Sequence, residues 1–167
     1  MSEVSETIRI QHIMAEQTEE LRHSVLWPAM PLDYVRLEED KDGQHFGAFV
    51  PSQDQPVAVI SVFLQPIPSG AETNQSSGET LQQANSARFR KFACHPDFQG
   101  RGIGTKLLSF IVPTCSRMGA KVIWCDARLS TSKWYEKRGF IRFGDPFFKE
   151  SVEYTRMKMD LVNTEAG

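Results

Sequence analysis

Apolar residues in this chain fall alternately at a spacing of two and at helical spacing, and the changes of period mark out its elements. Thr7-Ile-Arg-Ile10 alternates like a first strand. Ile13, Met14 and Leu21 then lie among Glu and Gln residues from His12 to His23, and Val25, Leu26 and Trp27 follow before Pro28, which predicts a helix ending ahead of the proline. Trp27-Pro-Ala-Met-Pro-Leu32 is an apolar, turn-rich link, suited either to lining a pocket or to closing the core edge. Glu38 to Gly43 reads as a charged turn. Gln44–Val50, with Phe46, Ala48 and Val50 on one face, and the nearly continuous apolar run Val57–Leu64 read as an antiparallel hairpin with a well-buried second strand.

Residues 65–85 hold Pro66, Pro68, Gly70 and Gly78 among many polar residues, which predicts a long surface loop, partly disordered, or a lid over a substrate. From Ala87 to Cys94, Phe89, Lys91 and Ala93 alternate with Arg88, Arg90 and Phe92, so a strand is expected to end near Cys94, ahead of Pro96. Ile103, Leu107, Leu108, Ile111, Val112 and Cys115 recur at helical spacing, giving a helix over 103–118 stopped at Gly119 and bent by Pro113. Lys121–Ala127 is a buried strand, so 87–127 forms a β–loop–α–β unit whose strands run parallel. A short helix from Ser130 to Lys137, capped by Ser130 or Thr131, precedes strands at Phe140–Phe143 and Tyr154–Leu161, with a loop over 144–152 between them.

Between the central strand and helix, Gly100, Gly102 and Gly104 remove side chains at alternate positions. Their backbone N–H groups can approach an anion at the positive N-terminal end of the helix, so the expected ligand is anionic. A dinucleotide fingerprint has different glycine spacing and stands early in the chain, and a P-loop needs Gly-Lys-Ser/Thr where this chain has Thr105-Lys106.

Composition adds limits. With 40% hydrophobic and 24% charged residues in 167, a single globular domain over 7–161 is expected, with frayed residues 1–6, a flexible loop at 67–85 and a tail at 162–167. A net charge of −2 implies no general attraction to nucleic acid or membrane surfaces, so any basic surface is local, as Arg88, Arg90, Lys91 and Arg101 would make it beside the loop. Cys94, Cys115 and Cys125 lack metal-ligand spacing and read as reduced core thiols, and no metal is expected. Neither a leader nor a run of about 18 apolar residues stands out, so a soluble, cytoplasmic protein is the expectation.

Gln99-Gly-Arg-Gly-Ile-Gly104 resembles the Q/R-x-x-G-x-G/A signature of the GNAT superfamily of acyl-CoA-dependent N-acetyltransferases. Phe92–Phe98 resembles that family's strand-end approach to the loop, and Trp134-Tyr-Glu-Lys-Arg-Gly-Phe140 resembles its helix-to-strand element. The resemblance implies an α/β fold of about seven mostly antiparallel strands with a central splayed parallel pair, flanked by about four helices. It implies acetyl-CoA as co-substrate, with its pyrophosphate on the backbone of Gln99, Gly100, Arg101, Gly102, Ile103, Gly104 and Thr105. Phe92, Ala93 and Cys94 would face the pantetheine arm, and Trp134 and Tyr135 would lie beside the cofactor.

Tyr135 matches the family's general acid, and an unperturbed phenol, with a pKa of about 10, is protonated near neutral pH. The glutamate that some members place on the central strand is missing from 87–94; His45, Asp126, Glu150, Glu153 or a water chain are the alternatives for a base. The acceptor expected is a small primary amine, with a protein lysine as the second enzymatic reading, for which Glu38–Asp42 would supply acidity. A non-catalytic acyl-CoA-binding module is the reading of another class. A homodimer formed through exchange of the final strand stays open.

Overall fold

The computed structural model describes residues 7–68 and 85–161. The expected frayed start, the greater part of the long loop and the C-terminal tail lie outside them. The described residues fall into two units. One runs up to Phe63 and includes Lys91–Ile111; the other comprises the described part of Leu64–Arg90 and the chain from Val112.

In the first unit, β1 (Arg9–Ile13), β2 (Gln44–Phe49) and β3 (Ala58–Leu64) pair antiparallel in chain order, followed by the second half of β4 (Ser86–Cys94). The first strand extends three residues further than its alternation indicated, and its last residue, Ile13, is buried. Consequently the segment expected to be a helix from His12 begins later and is irregular: a 3-10 turn (Ala15–Thr18), one α-turn, α1 (Glu19–Leu21), and a π-turn (Arg22–Leu26). Leu21 and Ile13 pack with Phe49, Val59 and Ala93, joined by Val25 and Leu26. Strand β2 is buried from His45 onward rather than on one face. A Cβ at Gly47 would stand 3.0 Å from Pro56, so side chains cover its second face as well. Trp27 closes the core edge, its ring edge-on to Tyr34 at 5.2 Å, while Leu32 stays exposed.

A buried polar cluster ties this unit together. Arg22 is fully buried; its Nη1 donates to the Val35 carbonyl and to Asp40 Oδ2, both at 2.8 Å, and its Nη2 donates to Asp40 Oδ1 at 2.9 Å and Ser61 Oγ at 3.0 Å. His45 completes it, with Nδ1 2.7 Å from Ser61 Oγ and Nε2 3.0 Å from the Asp40 carbonyl. The bidentate fork satisfies a charge that could not otherwise be buried. It pins the π-turn and the Glu38–Asp42 turn to β2 and β3.

The second unit has the strand order β4-β5-β7-β6, with β5 at Val122–Arg128, β6 at Ile141–Lys149 and β7 at Val152–Asp160. Strands β4 and β5 are parallel over Ser86–Arg88 and Val122–Trp124, and the other pairings are antiparallel. The mixed α/β class with seven strands and a parallel pair is the one expected. Helix α2 (Ile103–Arg117) belongs to both units and continues through Pro113, which has no N–H for the Ser109 carbonyl.

The predicted loop over 144–152 is instead mostly strand. Between the pairs Phe143↔Arg156 and Phe147↔Tyr154, β6 places Gly144, Asp145 and Pro146 opposite Thr155 alone. The bulge absorbs the residues that read as a turn, and the edge position tolerates a proline without a ladder donor. Helix α3 (Ser132–Glu136) begins at Thr131 without a side-chain cap; the Thr131 hydroxyl donates backward to the Arg128 carbonyl at 2.9 Å.

Burial pushes the Asp40 carboxyl up, but the hydrogen bonds from Arg22 and the Leu37 N–H, with the charges of Arg22 and His45, outweigh it and hold it below its ordinary 3.8. Its contribution to stability is therefore fully present above that value and is lost as pH falls through the lowered one. Asp40→Ala strands the buried guanidinium and is expected to lower the unfolding free energy by about 3 kcal/mol in urea titrations. It should also remove the part of the acid destabilisation that the carboxylate causes; an unchanged midpoint and pH profile would show the cluster to be energetically idle.

Candidate functional site

In the first unit, β4 leads into the glycine-rich loop. The His95 N–H donates to the Val57 carbonyl at 2.8 Å, fixing the strand end, and His95 Nδ1 accepts from the Asp97 N–H at 3.0 Å to cap the 3-10 turn Pro96–Phe98. Gln99 Nε2 then reaches back to the Cys94 carbonyl at 2.8 Å, so this side chain staples the loop to the strand. Gly100 and Gly102 adopt φ values of +80° and +83°, where a side chain is strained, and nothing lies within 4 Å of a Cβ built at either.

Ile103, 2% exposed, anchors the first turn of α2, whose ladder starts with the Lys106 N–H on the Gly102 carbonyl at 3.0 Å. The N–H groups of the residues from Gly102 to Thr105 precede any intrahelical acceptor and stand at the positive end of the helix dipole. Arg101 is exposed, its guanidinium 5.0 Å from the Phe98 ring centre. Upstream, Ala93 is buried and Phe92 and Cys94 are half-buried. Sequence gave no warning of Lys91, a non-glycine residue at φ +55° inside β4.

Trp134 and Tyr135 lie in the second unit, on α3. The Tyr135 ring is packed by Trp134 at 5.0 Å, Phe140 at 5.6 Å and Phe89 at 5.9 Å between ring centres. Burial, and secondarily the neighbouring Cys125, push its hydroxyl well above the ordinary phenol range. The hydroxyl is therefore protonated throughout the neutral range and is not a base there. The Arg138 guanidinium covers the Trp134 ring at 3.7 Å.

The remaining sequence candidates separate sharply. His45 is buried within the Arg22 cluster, both ring nitrogens engaged, and so is not a base available to substrate. Asp126 is gripped by Arg88 Nη2 at 2.6 Å and by Lys149 Nζ and Arg156 Nε at 3.3 Å. Glu150 is exposed at the β6–β7 turn with φ +55°, and Glu153 is half-buried on β7. Of the basic residues expected beside the loop, Arg101 is exposed within it, Arg88 pairs with Asp126 and lies over the Trp124 ring, and Lys91 Nζ lies 5.9 Å from the Tyr34 ring centre. All three cysteines are free thiols, with burial raising Cys94, taking Cys115 up to about 12, and pushing Cys125 well above its ordinary value, which suits packing rather than nucleophilic attack.

Among the described residues no group of three or more His, Cys, Asp or Glu side chains is placed to hold a metal ion, and no helix is long and apolar enough to cross a membrane.

The fold recurs in an acetyltransferase of the GNAT family from Staphylococcus aureus Mu50, with a TM-score of 0.68 at 17% identity, covering 93% of this chain and 100% of that one. It recurs in a GNAT family acetyltransferase from Elizabethkingia anophelis with acetyl-CoA bound, with a TM-score of 0.62 at 17% identity over 92% of this chain and 98% of that one. In sequence, the chain is 25% identical over 142 residues to the uncharacterised N-acetyltransferase YitI of Bacillus subtilis (strain 168), covering 84% of this chain and 87% of that protein. A family model described as an acetyltransferase (GNAT) domain matches residues 71–161, more than half the chain and inclusive of the glycine loop, α2 and the Trp134–Phe140 element. The chain therefore belongs to the GNAT family of N-acetyltransferases.

Proposed function

We propose that this chain transfers an acetyl group from acetyl-CoA directly to the primary amine of a small molecule. The observation that carries the cofactor half of this reading is the pair of left-handed glycines opening onto the first turn of α2. Backbone N–H groups of residues 99–105 would hold the pyrophosphate, and the backbone of Phe92–Cys94 the pantetheine arm, in the manner of an added strand. Trp134 and Tyr135 would lie beside the thioester end.

In the reaction, a neutral amine attacks the thioester carbonyl, a backbone N–H near Cys94 stabilises the oxyanion, and Tyr135 gives its proton to the departing thiolate. Burial keeps the phenol protonated near neutral pH, the form from which that role starts. With His45 and Asp126 committed elsewhere, the proton of the attacking amine leaves to water or to Glu150 or Glu153. A small acceptor is favoured over a protein lysine because Asp40, the centre of the acidic run, is turned inward onto Arg22 and cannot line an acidic peptide groove.

Gly102→Val is expected to raise the KM for acetyl-CoA at least about tenfold, the side chain filling the anion's approach, while circular dichroism shows the fold retained. Unchanged affinity would remove the pyrophosphate from this loop. Tyr135→Phe is expected to lower kcat by about a hundredfold and leave the KM for acetyl-CoA within about twofold, measured as thiol release over an amine panel. Retained kcat would reduce Tyr135 to packing, and acetyl-CoA binding without turnover of any amine would favour a non-catalytic module.

A further inference from the structure

Adjacent residues of β5 point to opposite faces, so Cys125 lies beside Tyr135 while Asp126 stands on the other side. On that side charge is out of balance. Asp126, its side chain 6% exposed, receives Arg88 from β4, Lys149 from β6 and Arg156 from the directly opposed position of β7. Among the described residues it is the acid that pairs with Lys149 and with Arg156, so three cations converge on one carboxylate.

A network serving stability alone is best with matched charges, since surplus half-buried cations repel one another. Lys149 is half-buried among these charges. Burial lowers its pKa, and although Asp126 raises it, Arg90 and Arg88 lower it again, leaving it below its ordinary value. The cationic heads are also held rather than loose. Lys149 Nζ lies 4.6 Å from the Tyr154 ring centre, and the Arg156 guanidinium lies 4.6 Å from that of Phe147; these two rings stack at 5.8 Å. Both side chains remain 32% exposed, so the surplus charge is accessible from solvent.

We propose that this cluster binds an anionic group, a carboxylate or a phosphate, carried by the acceptor away from its reacting amine. The proposal rests on the acetyl-transfer reading above and narrows its substrate class. The planar Arg156 fork and the Lys149 ammonium suit either oxyanion, and Asp126 holds them in place without neutralising them.

The test uses matched acceptors at saturating acetyl-CoA: 4-aminobutyrate against 4-aminobutyramide for the carboxylate, and O-phosphoethanolamine against ethanolamine for the phosphate. At least one anionic member should exceed its neutral partner about tenfold in kcat/KM, and Arg156→Gln and Lys149→Gln should each cut that preference about fivefold, chiefly through KM. Arg156→Lys, which keeps the charge, should retain most of it. Turnover of neutral and anionic partners alike, or a preference that survives both Gln variants, overturns the proposal while acetyl transfer stands. If no amine is acetylated, the acetyl-transfer reading fails separately, and ligand-observed NMR with inorganic phosphate and acetate decides the site. Binding weakened in Arg156→Gln supports it; no binding, or binding that the variant leaves unchanged, overturns it.

Discussion

The arrangement from which the functional reading follows is a backbone one: a strand must turn within a few residues into a helix whose first N–H groups have no acceptor within the helix itself. The turn passes twice through left-handed conformations, at Gly100 and Gly102, and neither leaves room-filling atoms behind. What surrounds those positions is rigid. His95 caps the turn before them, Gln99 ties them to the end of β4, and Ile103 sinks the helix start into the core. A site made of main-chain donors held in this way needs no charged side chain to attract an anion.

This part of the molecule was legible in the sequence because its requirements are local. Glycine is the residue that accepts those φ values, proline ends the strand, and helical spacing over Ile103–Cys115 declares the helix. The parallel pairing of β4 with β5 follows from chain order and helix length alone. What escaped the sequence depended on distant partners. Nothing in Lys91 marks it as left-handed, and Gly144-Asp-Pro146, which reads as a turn, is carried inside β6 as a bulge because β7 continues alongside. That His45 is held inside a polar cluster could not be read from its own stretch, because the cluster is assembled by Arg22 and Ser61, which are distant in sequence. The irregular turns of 15–26 likewise answer to Arg22's partners more than to helix propensity.

The residues proposed for chemistry are tuned by environment rather than by type. Tyr135 is kept protonated by the aromatic shell around it, and the cysteines are kept unreactive by burial. Asp126 is an acid that organises cations, and the cationic surplus it leaves on the opposite side of β5 is where the acceptor's own charge would enter the account. Family membership fixes the acyl-transfer class; the identity of the acceptor has to be sought in features such as this one, particular to the chain.

The most direct test of the central claim is a backbone-amide NMR titration with acetyl-CoA. The account predicts that the amides of Gly100 to Thr105 shift most strongly and saturate with the cofactor, and that inorganic pyrophosphate alone moves the same group. Saturable acetyl-CoA binding that leaves those amides unmoved would contradict it.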